Sequence, residues 1–405
     1  ELLLKYRDQA YLSKKLATII TDLKLGVDLN DCCRKKPYDR QKLLDFCIRY
    51  EFKSLAKKLN DGDQPVEEVS DNLQPIEFEV QAIGAADLEL VCSKLELNRI
   101  CAIQFLTSGA NWIGSKILGL GLSDLQTNWF YPFSEGQPLP DCLIRVLANN
   151  RITKTGHDLK KQLQIALVNT IEIKGVLEDT LIAGYLVNAG LGSLELEDLG
   201  RAYLRKTVPA WNNEKGKLVS VFELPAKLPQ DILGKIAGGR LQAVRLLREV
   251  FQESMASLGL IDLYRDVETP LINVLFNMER TGIKVEPETL RAFGDELRER
   301  QHQLETEIYS LTGEEFNINS PKQLGVVLYG KLGLKAAKRT KTGYSTDAQV
   351  LEELTSQHPV VAKILEYRQN IKLQTTYIDS LIALINPKTE RVHTTFNQAV
   401  TTTGR

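Results

Sequence analysis

The chain has 405 residues, 43% of them hydrophobic and 25% charged, with a formal net charge of −1 at pH 7. This composition is globular and the length suits two or three domains rather than one core. No apolar run approaches the ~20 residues of a membrane span. The near-zero charge excludes a polycation, so nucleic-acid affinity would have to come from a local patch.

Cys32, Cys33, Cys47, Cys92, Cys101 and Cys142 form no CxxC pair, and His157, His302, His358 and His393 are scattered. That pattern points to reduced, structural thiols in a reducing cytoplasm and away from a zinc site. Because the chain begins with Glu1 rather than Met and stops at Gly404-Arg405, truncation at both ends is expected.

Residues 1–60 read as helices, with Tyr11 to Ile20 and Arg40 to Tyr50 carrying apolar residues at helical spacing. Residues 61–75, acidic and holding two prolines, read as a linker. In 76–260, Ile100 to Phe105, Ile117 to Leu122 and Trp129 to Tyr131 have strand character, and 141–149, 157–169 and 176–188 read as helices, which suggests a layered α/β domain. Residues 261–405 read as mainly helical. Leu290, Phe293, Leu297, Leu304, Ile308 and Leu311 form the apolar stripe of a long helix, with 360–384 as its antiparallel partner.

Between those two helices, Phe316 to Thr346 contains no Asp or Glu but holds Lys322, Lys331, Lys335, Lys338, Arg339 and Lys341. Such a segment attracts phosphates through counterion release, although a solvated lysine face has the same composition. Asn319-Ser320-Pro321-Lys322-Gln323 reads as a helix start, with Ser320 as N-cap, Pro321 at N1 and Gln323 closing a capping box. Ser345-Thr346-Asp347 offers a second start. Helix N-termini present free N–H groups that can hold phosphate oxygens without reading sequence.

Several segments resemble, in order, the thumb and early palm of bacterial family A DNA polymerases, the DNA polymerase I family. They are TGIKV at 281–285, GEEFNINSPKQL at 313–324, STDAQVLEEL at 345–354, Tyr367-Arg368 with Lys372-Leu373 and Thr376-Tyr377, INPK at 385–388 and VHTTFNQAVTTTGR at 392–405. The resemblance implies that Asn317, Asn319, Ser320, Lys322, Ser345 and Thr346 hold the DNA backbone, and the charge of the basic segment adds Lys338, Arg339 and Lys341 to the expected contacts. It further implies that Arg368 and Lys372 line the thumb helix and that Arg405 reaches the minor groove near the primer end. The local alternative for Arg368 is pairing with Glu366 or Asp379. The family's catalytic aspartates, which hold two Mg²⁺ ions, would follow the TGR motif, so no catalytic or metal-binding residue is assigned here.

The middle region is similar to that family's 3′–5′ exonuclease domain, an RNase H-like sheet, through Thr155 to Lys160 and Leu177 to Leu186. The active form needs about four carboxylates for two metals. Gln104 and Leu106 stand where the first strand should read Asp-Thr-Glu, and Gln162 stands at the next aspartate. The AGGRL of 237–241 lacks the Tyr and Asp of the last helix. Proofreading is therefore expected to be absent, with Asp158 and Asp179 acting as caps or surface pairs. Residues 1–60 resemble the helical tail of the 5′ nuclease domain.

The expected architecture is α/β plus mainly α: an RNase H-like exonuclease-type domain followed by a helical polymerase thumb and the start of the palm. The expected boundaries are 1–60, 61–75, 76–260 and 261–405, with 386–405 poorly ordered. The expected function is DNA-templated DNA synthesis by the parent enzyme, with Mg²⁺ and deoxynucleoside triphosphates used only there. The chain itself is expected to be a cytoplasmic, nucleoid-associated monomer bound to primer–template DNA. A stand-alone DNA-binding module and a residual 3′–5′ exonuclease are the alternatives.

Overall fold

The computed structural model describes residues 6–19, positions 39, 42, 43, 46, 47, 52 and 55, and residues 73–403 apart from 110–111, 134–137, 336–338 and 341–342. Two units are distinguished, Glu1–Asn72 and Leu73–Arg405. In the first, helix α1 (Arg7–Ala17) has Asp8 in its first turn and Lys14 and Lys15 in its last, each charge opposing the helix dipole. Most of the expected helix over 40–50, the linker residues 61–72, Cys32 and Cys33 lie outside the described residues.

The second unit is built on a six-stranded sheet in the order β1-β4-β3-β2-β5-β6. Its strands are β1 (Gln81–Ala82), β2 (Ile100–Ser108), β3 (Lys116–Ser123), β4 (Asn128–Pro132), β5 (Thr153–Gly156) and β6 (Leu177–Asp179). The pairs β2–β3 and β3–β4 are antiparallel, whereas β2, β5 and β6 run parallel, as an RNase H-like sheet requires. Helices α2 (Ala85–Asn98), α3 (Asp141–Ala148), α4 (Leu159–Val168) and α5 (Thr180–Val187) cover it, together with the 29-residue α6 (Gln230–Leu258). The strand β2 is buried along nearly its whole length, so its apolar run is continuous rather than alternating.

The segment 176–188 is not helical throughout. Leu177–Asp179 is a strand paired with β5, and the helix begins only at Thr180, where the Asp179 carboxylate accepts the Leu181 amide at 2.9 Å. Strands of three and four residues carry too few residues for a period to be read.

Lys154 on β5 is 0% exposed. Its ammonium donates to the carbonyls of Asn149 (2.5 Å) and Ile152 (3.1 Å). Burial pushes its pKa down from 10.5 to about 8, a shift opposed by Cys101. Between pH 8 and 10.5 the unfolded chain holds a proton that the folded chain has released, so stability from this group rises with pH across that window. The expected result is a Tm that climbs from about pH 8 to 10 more steeply in the parent than in Lys154→Met. Equal slopes would assign the proton elsewhere.

Beyond the sheet, α7 (Thr269–Thr281) leads to β7 (Ile283–Lys284) and to the long α8 (Pro287–Thr312). Two short helices, α9 (Pro321–Gly325) and α10 (Ala348–Leu354), precede α11 (Pro359–Lys372). From Lys372 the helix continues through a π-wound stretch, Leu373–Asp379, into α12 (Ser380–Leu384). The two long helices run antiparallel: Gly294 lies against Gln374 and Ile378, while Glu307 pairs with Lys363. Their far end closes on its own hydrophobic core, which includes Leu304, Ile308, Leu324, Leu351, Val361 and Ile364.

Residues 386–403 are not the poorly ordered tail expected from the sequence. Strands β8 (Ile385–Asn386) and β9 (Arg391–Val392) pair with each other, and β9 also pairs with β7. Groups far back in the chain then hold the residues that follow: the Tyr185 hydroxyl donates to the Thr401 carbonyl at 2.7 Å, and Gln398 donates to Glu268.

Candidate nucleic-acid interface and nuclease-like centre

The nuclease-like centre sits where β2, α4 and α6 meet. Gln104 is 1% exposed; its amide nitrogen donates to the Phe105 carbonyl (2.9 Å), and its amide oxygen accepts from Arg240 Nε at 3.1 Å. Leu106 is a core side chain. Gln162 is fully buried and spends its amide on backbone, accepting from Phe105 N (3.1 Å) and donating to the carbonyls of Ile103 (3.2 Å) and His157 (3.0 Å). The geometry thus gathers Gln104 and Gln162 around β2 and gives each a structural duty; neither amide is directed into an open site.

Arg240, on α6, is 3% exposed and donates through Nη1 to the Glu197 carboxylate. His157 Nδ1 lies 3.0 Å from Thr180 Oγ1, whose hydroxyl donates to the Gly156 carbonyl, so the ring nitrogen is the donor of that pair. Burial first, then the Arg240 charge, push His157 down to about 3 and keep it neutral. Asp158 caps α4, accepting from Lys161 N. Asp179 binds the amides of Asp158 (3.0 Å) and Leu159 (2.7 Å) as well as that of Leu181, so one carboxylate fastens the starts of two helices. Burial and the neighbouring Asp158 push Asp179 up to about 7 against those three amides. The two-metal centre of the exonuclease family does not fit this donor set, which offers amides, a leucine and a guanidinium at its heart. Among the described residues no group of three or more His, Cys, Asp or Glu is placed to hold a metal.

At the end of the arm, Ser320 caps α9 as expected, accepting from Gln323 N at 3.4 Å with Pro321 at the first helical position. Gln323 reaches past the cap and accepts from Asn317 N at 2.7 Å. Asn317, Asn319 and Lys322 are exposed there, and so is Lys372 on α11. At the second helix start the cap position is Asp347, not Thr346. Ser345 and Thr346 are buried, the Ser345 hydroxyl donating to Asp347 at 2.8 Å. Arg368 turns its guanidinium onto the Thr346 carbonyl (2.6 Å) and so ties α11 to the start of α10, while the Tyr329 hydroxyl donates to the Ser345 carbonyl at 2.7 Å. Glu366, a local alternative partner for Arg368, is taken by Arg300 at 2.7 and 3.0 Å. Lys338, Lys341 and Arg405 lie outside the described residues, and Arg339 is described only by its backbone, in a two-stranded turn with Gly343–Tyr344.

Sequence reasoning missed Glu279. Its carboxylate is 0% exposed and receives Lys160 Nζ (2.6 Å), Gln164 Nε2 and Phe396 N (2.7 Å), while its carbonyl lies 2.7 Å from His393 Nδ1. It therefore joins α4 of the sheet domain to the segment after β9. In sequence it is one charge in FNMERTG and carries no sign of burial.

Fold and sites together define a polymerase-type chain in which an RNase H-like exonuclease domain precedes a helical arm and the first strands of a further sheet. Residues 103–213 match the model for the DNA polymerase I ribonuclease H-like domain, and residues 287–405 match that for DNA polymerase family A. The chain belongs to the family A DNA polymerases. It is 37% identical over 404 residues to DNA polymerase I of Caldicellulosiruptor bescii, covering 98% of this chain and 42% of that protein. It is 33% identical over 405 residues to DNA polymerase I of Bacillus subtilis, covering 100% of this chain and 44% of the relative. A solved POL domain of Pol1 from M. smegmatis, in complex with DNA primer-template and dNTP, superposes with a TM-score of 0.67 at 26% identity, covering 81% of this chain and 54% of that one. The chain thus spans less than half the length of these curated relatives. Family A DNA polymerases in general depend on divalent metal. Among the described residues no helix is long and apolar enough to cross a membrane.

Proposed function

We propose that this chain is the part of a DNA-directed DNA polymerase, acting in replication and repair, that grips primer–template DNA and scaffolds the polymerase domain. The observation that carries the reading is the arm. Asn317, Asn319 and Lys322 are exposed beside the Ser320-capped helix start, in a segment free of acids from 316 to 346, on a small core of their own. Donors and cations of this kind suit a sugar-phosphate backbone and carry no base code. Lys372 extends the grip, and Lys338, Arg339, Lys341 and Arg405 are proposed members of it. Ser345, Thr346 and Arg368 act one layer beneath, shaping the surface.

Domain boundaries at 60, 75 and 260 are part of the proposal, as are Mg²⁺ and deoxynucleoside triphosphates for the whole enzyme and a place on the bacterial nucleoid. None of the carboxylates that would hold Mg²⁺ for nucleotide transfer is assigned to these 405 residues. The protein described here contributes binding and orientation.

Fluorescence anisotropy with a primer–template duplex at rising salt tests the grip. Affinity should fall steeply with salt. Lys322→Ala/Lys372→Ala should weaken binding and flatten the log–log slope by about 0.9 for each phosphate that is no longer neutralised. Binding indifferent to salt, or a double variant with the parent's slope, would remove the arm from the interface.

A further inference from the structure

We infer that Arg240 is a built-in cation standing in the place of the exonuclease family's metal pair, so that this domain keeps the charge pattern of a metal centre with no metal requirement. Three observations carry this. First, at the positions where the family resemblance leads one to expect carboxylates stand Gln104, Leu106 and Gln162, and none of these can balance a divalent ion. Second, the guanidinium is not on the surface. It is 3% exposed and held between the Gln104 amide oxygen on β2 and the Glu197 carboxylate on the turn of helix at Leu196–Leu199. Third, the charged and titratable groups that share its pocket are Glu197, Glu195, Asp158, Lys161 and His157, so three carboxylates stand around two cations, of which Arg240 is the one bonded to Gln104.

A guanidinium suits that place because it is planar, stays ionised when buried and makes directed bonds to a carboxylate and an amide together. Glu197, 13% exposed, needs such a partner, since a buried carboxylate without one is strongly disfavoured. The absent carboxylates and the buried arginine thus make one coordinated change. Restoring the acids alone would leave a fixed cation in the volume the metals need.

The full chain tests this by Mn²⁺ binding, read as loss of the free-ion paramagnetic resonance signal, with folding checked by circular dichroism. Gln104→Asp/Leu106→Glu/Gln162→Asp should bind Mn²⁺ no better than the parent. Adding Arg240→Asp to that triple variant should raise affinity at least tenfold. Equal binding by the triple and quadruple variants, or binding by neither, overturns the inference. Should the multiple variants fail to fold, Arg240→Met in the otherwise unaltered chain decides. The expected outcome is a Tm lower by about 5 °C or more, with no recovery in millimolar Mg²⁺ or Mn²⁺. A variant as stable as the parent, or one rescued by the metal, overturns the inference too.

Discussion

Glu279→Ala should lower stability by about 3–5 kcal/mol, the cost of breaking a buried ion pair from one side. The carboxylate is wholly buried, and its removal takes the acceptor from the Gln164 and Phe396 amides and leaves Lys160 Nζ, a buried charge, to the Phe396 carbonyl. Lys160, with only 14% of its side chain exposed, cannot swing fully into water. Urea denaturation measures the loss, and a double-mutant cycle with Lys160→Met isolates the pair. The effect should also be local. Hydrogen exchange at Phe396 and its neighbours should quicken before the sheet strands are affected, because the amide of Phe396 loses its acceptor. A change under ~0.5 kcal/mol with unchanged exchange at Phe396 would show that the segment after β9 is held by other groups. The sheet domain has no carboxylate at Gln104, Leu106 or Gln162, and Glu279 is one of the groups, with Tyr185, that tie it to the segment after β9.

Helix α6 should respond oppositely to two chemically identical substitutions five residues apart. A methyl group at Gly239 would run into the Pro209 ring and meet Phe78 at 3.1 Å. Proline carbons fixed in a ring cannot give way, so Gly239→Ala should cost about 1–3 kcal/mol from overpacking, partly offset by ~1 kcal/mol of helix propensity. At Gly234 the nearest atom to such a methyl is Phe130 Cδ1 at 3.4 Å, an ordinary separation. Gly234→Ala should therefore stabilise by up to ~1 kcal/mol. Thermal unfolding of the two variants side by side is the test. Stabilisation by both would mean that the segment carrying Phe78 and Pro209 can move off the helix. The same close approach sets the depth at which α6 lies, and Arg240 is the residue next to Gly239.

Much of the arm was legible locally. Ser320, Pro321 and Gln323 announce a helix start through bonds made within a few residues, and the structure forms that start. The stripe from Leu290 to Leu311 predicts a helix over 288–311 and the structure shows one over 287–312, because an amphipathic face repeats at the helical period. At the second start Ser345, Thr346 and Asp347 are all residues that can cap, and the structure puts Asp347 at the cap position while Arg368, more than twenty residues along the chain, holds the Thr346 carbonyl. The strands β5 and β6 were invisible for want of length. The end of the chain was misjudged because its partners, Tyr185, Glu268 and Glu279, lie far back in sequence.

What the sequence determined by itself is the family, through motifs in order, and the expectation that amides and a leucine stand where the exonuclease family has acids, because such a change is visible in a single letter. Only the tertiary structure decided what stands in for those acids. Arg240 meets Gln104 across 136 residues of chain, and Glu279 meets Phe396 across 117. A charge bound for the interior is written with the same letter as one bound for solvent. Folding alone chooses between them, by bringing a partner close enough to offset the lost water.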